Sequence, residues 1–248
     1  TDAPLVSVVI PVLNNWALTR ECLVSLRAQA GGVPFEVLLV DNGSTDATAA
    51  EAGPLGEALF GQGFTHLRQE ANLGFAGAIN LGARRARGRY LYLLNNDTVA
   101  VTDPLAGPLA LLRDEPGIGA AGPLLLYPGG ERVQHLGIAV AHGIKCVHLY
   151  HLFPASHPVV RRQRRLQAAT MAAFCVERAL YERLGGLHEG YANGMEDVDF
   201  CARMGREGRW CAVATGSVVL HLAGQSEGRF ARDLENSRLL ASRCADLL

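Results

Sequence analysis

The tripeptide Asn95-Asn96-Asp97 directly follows Tyr-Leu-Tyr-Leu-Leu, so a carboxylate stands at the mouth of an apolar run that reads as a buried strand. Such a carboxylate is well placed to hold a hard divalent cation. Mg²⁺ or Mn²⁺ takes oxygen ligands and is commonly shared between one or two carboxylates and substrate phosphates. The same residues also spell an Asx turn, with Asp97 capping the segment that follows, and the tripeptide alone does not separate the two. Three earlier runs end in similar residues: Asn14-Asn15, Asp41-Asn42-Gly43-Ser44 and Asn72. One or two such endings are ordinary turn chemistry, whereas four in succession point to a site along one edge of a sheet.

The elements that must position these residues follow from periodicity. Segments 6–11, 36–41, 64–69 and 90–95 are short, apolar and rich in Val, Leu and aromatics, as buried strands are. Between them, 17–29, 45–59 and 75–86 carry helical spacing. A strand–helix series of this period predicts an α/β fold with a parallel sheet covered on both faces. In open α/β sheets, ligands sit beyond the carboxyl ends of the strands. Further on, 118–127 and 137–140 read as strands and 142–165 as a long loop without periodicity. An apolar segment 168–174, helices 177–184 and 196–205, strands 210–214 and 217–222, and an amphipathic helix 230–248 complete the chain. The expected organisation is one compact domain with a first half (1–100), a second half (101–228) and a C-terminal helix (229–248).

Composition narrows the class. The chain has 248 residues, is 49% hydrophobic and carries a formal net charge of −1, so its overall field gives no reason to expect a nucleic-acid partner. Arg supplies nearly all the positive charge, with Lys145 the single lysine. Six cysteines without a CxxC pair fit buried reduced thiols better than a disulfide framework or a cysteine-based zinc site. No stretch approaches the ~18–20 apolar residues that span a bilayer. A cytoplasmic location is expected.

The motifs together resemble the family 2 glycosyltransferases of the GT-A fold, including the rhamnosyltransferase-like enzymes of bacterial cell-surface glycans. They stand in the family's order from about Val6 to Ser226: SVVIPVLN (7–14), LVDNGSTD (39–46), NLGFAGAINLG (72–82), LLNNDT (93–98), LGGLHE (184–189), MEDVDF (195–200) and HLAGQS (221–226). The resemblance implies that Asp41 accepts a hydrogen bond from the nucleotide base, with Pro11, Val12 and Asn14 shaping that pocket. Asn72, Gly74, Asn80, Asn95 and Asn96 would border the nucleotide sugar. Asn95 stands where the family writes the first carboxylate of Asp-x-Asp, which makes Asp97 the expected metal ligand, completed by His221. Glu196-Asp197 matches the family's acidic pair, with Asp197 as base on the acceptor hydroxyl and Glu196 positioning the acceptor. A single displacement of this kind inverts the anomeric centre. The implied donor is a UDP- or dTDP-linked sugar, the implied acceptor a glycan or lipid-linked glycan, and the cofactor Mg²⁺ or Mn²⁺. Asp199, further round the same helix, reads as a solvated or ion-paired surface acid with Arg203 one turn on.

Rival readings are weaker. Gly224-Gln225-Ser226-Glu227-Gly228 spells GxSxG, but no histidine follows it in the chain, as a hydrolase nucleophile elbow requires. The stretch with His142, Cys146, His148, His151 and His157 matches no standard zinc spacing; with Tyr150 and Phe153 it better suits an acceptor pocket. A dinucleotide oxidoreductase needs a Gly-rich turn after the first strand, where this chain has Pro-Val-Leu-Asn-Asn-Trp. A nucleotide-sugar-binding module without turnover is the non-catalytic alternative. The run Arg161–Arg165 is either a solvated surface or a contact for an anionic acceptor or the inner face of a membrane.

Overall fold

The computed structural model describes residues 3–141, 145–222 and 232–246. Strands β1 (Val6–Val12), β2 (Phe35–Asp41), β3 (Phe64–Arg68) and β4 (Tyr90–Leu94) pair in parallel, in the order β3-β2-β1-β4. Helices α1 (Trp16–Gln29), α2 (Thr48–Phe60) and α3 (Gly74–Arg85) form the crossovers. Each central strand feeds two cores, because alternate side chains leave opposite faces. Val8, Ile10, Val37 and Leu39 pack with Leu23 and Leu26 of α1. Val9, Leu38, Val40 and Leu91 pack with Ile79 and Ala83 of α3. Double burial explains why these strands read as continuous apolar runs rather than alternating ones.

Strand β5 (Thr98–Ala100) and helix α4 (Ala106–Asp114) follow, then β6 (Ile118–Leu126), β7 (Val133–His135), β8 (Ile138–Ala141) and β9 (Lys145–His148). Next come β10 (Ala173–Glu177), helices α5 (Arg178–Arg183) and α6 (Glu196–Arg206), β11 (Trp210–His221) and α7 (Asp233–Cys244). The second half extends the same sheet as β4-β10-β6-β11-β5, with β7 alongside β6, giving nine strands among the described residues. β10 is antiparallel to both neighbours, so β6 and β11 again run with β1–β4 and the sheet is mostly parallel. β8 and β9 form a separate antiparallel pair.

Three departures from the sequence reading have local causes. The two expected strands 210–214 and 217–222 are one strand, β11, with an irregularity between Ala214 and Val218 where Gly216 lies. The expected loop 142–165 contains β9 and a 3₁₀ turn, Pro158–Arg161, capped by the His157 side chain. Helix α4 hides behind Gly107 and Pro108. Proline is tolerated there because it lies in the first turn, and Asp103 Oδ1 accepts from the N–H groups of Leu105 and Ala106. The GxSxG segment, His142 and the start of the expected C-terminal helix lie outside the described residues. Among the described residues, no helix is long and apolar enough to cross a membrane.

Candidate active site

The carboxyl ends of β1 and β4 open into a cleft of about 680 Å³. Its wall gathers Pro11, Val12, Asn14, Asn72, Gly74, Asn95, Asn96 and Asp97, together with Asn42 and Tyr191–Asn193. A second cleft of about 270 Å³ holds Glu196 and Asp197 with Cys146, His148 and Thr170. Phe75, Asn95 and Asn193 line both, so the two clefts adjoin.

The loops of the first cleft are tied to one another. Asn14 and Asn15 both take left-handed backbone (φ 57° and 59°), which asparagine tolerates better than most residues. The Asn14 Oδ1 accepts from the N–H groups of Thr45 (2.8 Å) and Asp46 (3.3 Å), and its own N–H donates to Ser44 Oγ (2.8 Å). Asp46 accepts from Trp16 N–H at the start of α1 and from Thr48 N–H at the start of α2. Partial burial pushes its carboxyl up, but the hydrogen bonds from Thr48 and Trp16 outweigh this and hold it below the usual range. Asn72 Oδ1 accepts from Gly74 N–H (2.8 Å), and Gly74 has φ 72°, a conformation that suits glycine.

Two expected nucleotide contacts do not reach this cleft. Asp41 is fully buried below it: Oδ1 accepts from Ser44 N–H (2.7 Å) and Oδ2 from the Arg68 guanidinium (2.5 Å). Its carboxylate orders the 41–46 loop, and the neighbouring Asn42 reaches the cleft instead. Asn80 lies on α3 facing away. Its Nδ2 donates to Leu187 O and Glu189 Oε1, and its Oδ1 accepts from Tyr181 hydroxyl and Leu187 N–H, so the amide clamps α3 to the Gly185–Glu189 turn.

Asp97 and His221 meet because β5 pairs antiparallel with the end of β11, with Thr98 opposite His221. Leu222 N–H donates to Asp97 O (2.9 Å), continuing that ladder. His221 Nε2 then stands 3.2 Å from Asp97 Oδ1. Its ring is set by Gln134 on β7, whose Nε2 donates to His221 O (2.7 Å) and whose Oε1 therefore faces Nδ1 (2.6 Å). Nδ1 therefore carries a proton, and Nε2 is turned toward a carboxylate oxygen. Two acceptors in contact need a proton or a metal ion between them. Asp97 Oδ1, His221 Nε2 and Asn95 Oδ1 are all buried and without hydrogen-bond partners. A carboxylate and an imidazole so placed are donors of the kind a divalent cation takes, while among the described residues no group of three or more His, Cys, Asp or Glu gathers into a metal site. Gln134 is a site residue that the sequence did not single out, since nothing in its neighbourhood forms a motif.

In the second cleft, Glu196 is buried and its Oε2 accepts from Gly194 N–H (2.7 Å), while Asp197 is partly exposed and its Oδ1 accepts from Val198 N–H (2.8 Å). Asn193 and Met195, in the turn before them, both take positive φ (53° and 73°). His148 receives a defined orientation. His135 Nε2 accepts from Thr170 N–H (3.2 Å), so its proton lies on Nδ1 and is donated to His148 Nδ1 (3.1 Å). Burial, then His148 and His221, push His135 well below the usual histidine range, which keeps it neutral.

Asp199 is not a surface acid. It is fully buried, with Arg203 at 2.7 Å on one oxygen and Arg243 of α7 at 2.7 Å on the other. Burial pushes its carboxyl up, but Arg243 and Arg203 more than offset this and leave it below the usual range. The Arg161–Arg165 run is divided. Arg164 is held by the carbonyls of Arg162 and Val159 and lies over the Tyr150 ring (4.8 Å), whereas Arg161 and Arg162 are exposed.

Comparison with known proteins bears on the family and the fold. Residues 7–181 match the sequence model described as Glycosyl transferase family 2. The chain is 31% identical over 224 residues to an N-acetylglucosaminyl-diphospho-decaprenol L-rhamnosyltransferase of Mycobacterium tuberculosis, covering 79% of this chain and 69% of that protein. It is 30% identical over 223 residues to the O-antigen biosynthesis protein RfbC of Myxococcus xanthus, covering 88% of this chain and 17% of the relative. The chain spans only 22% and 17% of the first two curated relatives it matches. In fold it is similar to GalNAc-T7, solved with UDP, GalNAc and Mn²⁺, with a TM-score of 0.75 at 18% identity over 97% of this chain and 48% of the other.

Proposed function

Because the chain belongs to glycosyl transferase family 2, we propose that it moves a sugar from a nucleoside-diphosphate sugar to a hydroxyl of a lipid-linked or glycan acceptor, with inversion at the anomeric carbon. One observation carries the finer reading: Asn95 and Asp97 line a cleft that adjoins the one lined by Glu196 and Asp197, and His221 Nε2 stands 3.2 Å from Asp97 Oδ1, all three with a buried acceptor atom that lacks a hydrogen bond. The donor's nucleotide would lie along Pro11, Val12, Asn42 and Gly74. Asn95, Asp97 and His221 would hold Mn²⁺ or Mg²⁺, which when bound supplies charge neutralisation at the diphosphate. The imidazole favours Mn²⁺, because Mg²⁺ takes oxygen ligands.

Asp197 is the better candidate for the base. It is partly exposed in the adjoining cleft, whereas Glu196 is buried and holds Gly194 N–H. A base must reach the acceptor hydroxyl from the face opposite the leaving diphosphate, and the shared wall at Phe75, Asn95 and Asn193 is where the two substrates would meet. The rhamnosyltransferase relative favours a deoxyhexose as the sugar and a lipid diphosphate as the acceptor, within cell-envelope glycan assembly.

The test is a thermal-shift panel of UDP-, dTDP- and GDP-sugars with and without Mn²⁺, since a ligand that binds the native state raises its melting temperature. Asp97→Ala should abolish the Mn²⁺-dependent part of the shift, and a retained part would overturn the metal assignment. Asp197→Asn should keep the shift and lose transfer by about 10²–10⁴-fold. Donor binding by the wild type with no transfer to any acceptor would instead favour a binding module.

A further inference from the structure

The segment that builds the acceptor cleft also builds an outer surface of unusual charge. No Asp or Glu occurs between Glu131 and Glu177, yet Arg132, Lys145, Arg161, Arg162, Arg164 and Arg165 all fall there, six cations in a chain whose net charge is −1. The structure gathers much of this segment into one arm. Leu152 N–H donates to Val133 O (2.8 Å), Arg132 donates to Leu152 O (3.3 Å), and the Phe153 ring packs on Tyr150 (5.3 Å) and His157 (5.6 Å). Arg164 covers Tyr150 from the basic run, so Arg161 and Arg162 are stitched to the aromatic arm rather than lying apart from it.

The arm exposes large apolar side chains: Leu152 is 54% exposed, Phe153 41% and, on β9, Val147 43%. Leu152 also takes left-handed backbone (φ 64°), a conformation that a leucine adopts only at a cost. A strained backbone at an exposed apolar residue is the kind of departure that gathers at functional surfaces. Strand β9 gives the arm two sides. Cys146 and His148 line the acceptor cleft, and Val147 between them points the other way, as alternation in a strand requires.

We propose that this arm docks on an anionic lipid surface, with Leu152, Phe153 and Val147 entering the interface and Arg132, Arg161 and Arg162 meeting the head groups. Apolar side chains flanked by arginine fit a membrane interface, where cationic residues are drawn to anionic lipid and apolar ones to the acyl boundary. Docking on this side would bring the cleft of Glu196 and Asp197 to the level at which a lipid-linked hydroxyl emerges. Only that last link rests on the acceptor reading given above.

The experiment is co-sedimentation of the full chain with vesicles of phosphatidylcholine alone or mixed with phosphatidylglycerol, without donor, metal or turnover. Binding to the anionic vesicles alone is expected, falling at least tenfold as salt is raised. Phe153→Ser with Leu152→Asn should lose binding at unchanged melting temperature, because asparagine suits the left-handed conformation. Arg161→Gln with Arg162→Gln should weaken it through the electrostatic part. Equal binding to neutral vesicles, no binding at all, or wild-type binding by both double variants overturns the proposal. So does equally strong binding to a soluble acidic polysaccharide that ignores Phe153→Ser. Failure here leaves the sugar-transfer reading standing, since no assay in the set depends on it.

Discussion

At the scale of single residues, the site is set by where protons are forced to sit. Gln134 uses its amide N–H₂ on the His221 carbonyl, which leaves only its oxygen to face the ring and fixes the proton on Nδ1. Partners of this kind keep the ligating nitrogen aimed at the metal, and losing one typically costs 10–100-fold in affinity. Gln134→Leu is therefore expected to weaken Mn²⁺ binding by about that factor. Titration of Mn²⁺ by calorimetry reads this directly. An unchanged affinity in Gln134→Leu would show that His221 is no ligand.

Among the elements, α7 decides the shape of the turn before the acidic pair. Asn236 is buried and reads the backbone of Ala192 from both sides: its Oδ1 accepts from Ala192 N–H (3.1 Å) and its Nδ2 donates to Ala192 O (3.0 Å). Arg243, two turns further along, grips Asp199 on α6, and Tyr191 hydroxyl donates to the same carboxylate. The turn held in this way carries the two positive-φ residues Asn193 and Met195 and forms the wall shared by the two clefts. Asn236→Ala removes both hydrogen bonds to the Ala192 backbone and should cost about 1–3 kcal/mol of stability, measurable by urea unfolding. Its expected kinetic signature is a raised KM for the acceptor with a smaller change for the donor. An equal effect on both substrates would mean that α7 merely stabilises the domain.

For the molecule as a whole, the two cores leave little reactive chemistry on the surface. Five of the six cysteines are buried and Cys146 is half-buried. Burial pushes Cys22 up to about 12 and Cys146 to about 11. Because the thiolate is the nucleophile, the native protein should resist thiol reagents at neutral pH. Cys146, which lines the cleft of Glu196 and Asp197, is expected to be the first to react, and all six should label on unfolding. Mass spectrometry after timed exposure to iodoacetamide follows this, and rapid labelling of Cys22 or Cys175 in the native state would contradict the packing.

The strand–helix alternation of the first hundred residues was legible in the sequence because those strands are buried on both faces and their helices are local crossovers, so composition and period coincide with the element. The pocket wall from Pro11 to Asp97 was legible for the same reason, as each of its polar residues ends a readable strand or starts a readable helix. Asp41 and Asn80 stand apart from the cleft wall, which a motif does not show, because it records residue type and not direction. One points beneath its loop and the other to the far side of its helix. Helix α4 was masked by Gly107 and Pro108, and β5 was too short to show a period. What only the tertiary structure decided is what joins distant parts of the chain: the pairing of β5 with the end of β11 that sets His221 against Asp97, Gln134 behind His221, and Asn236 behind the turn at Ala192. Such contacts form when strands and helices far apart in sequence close on one another, and their partners lie outside any local pattern.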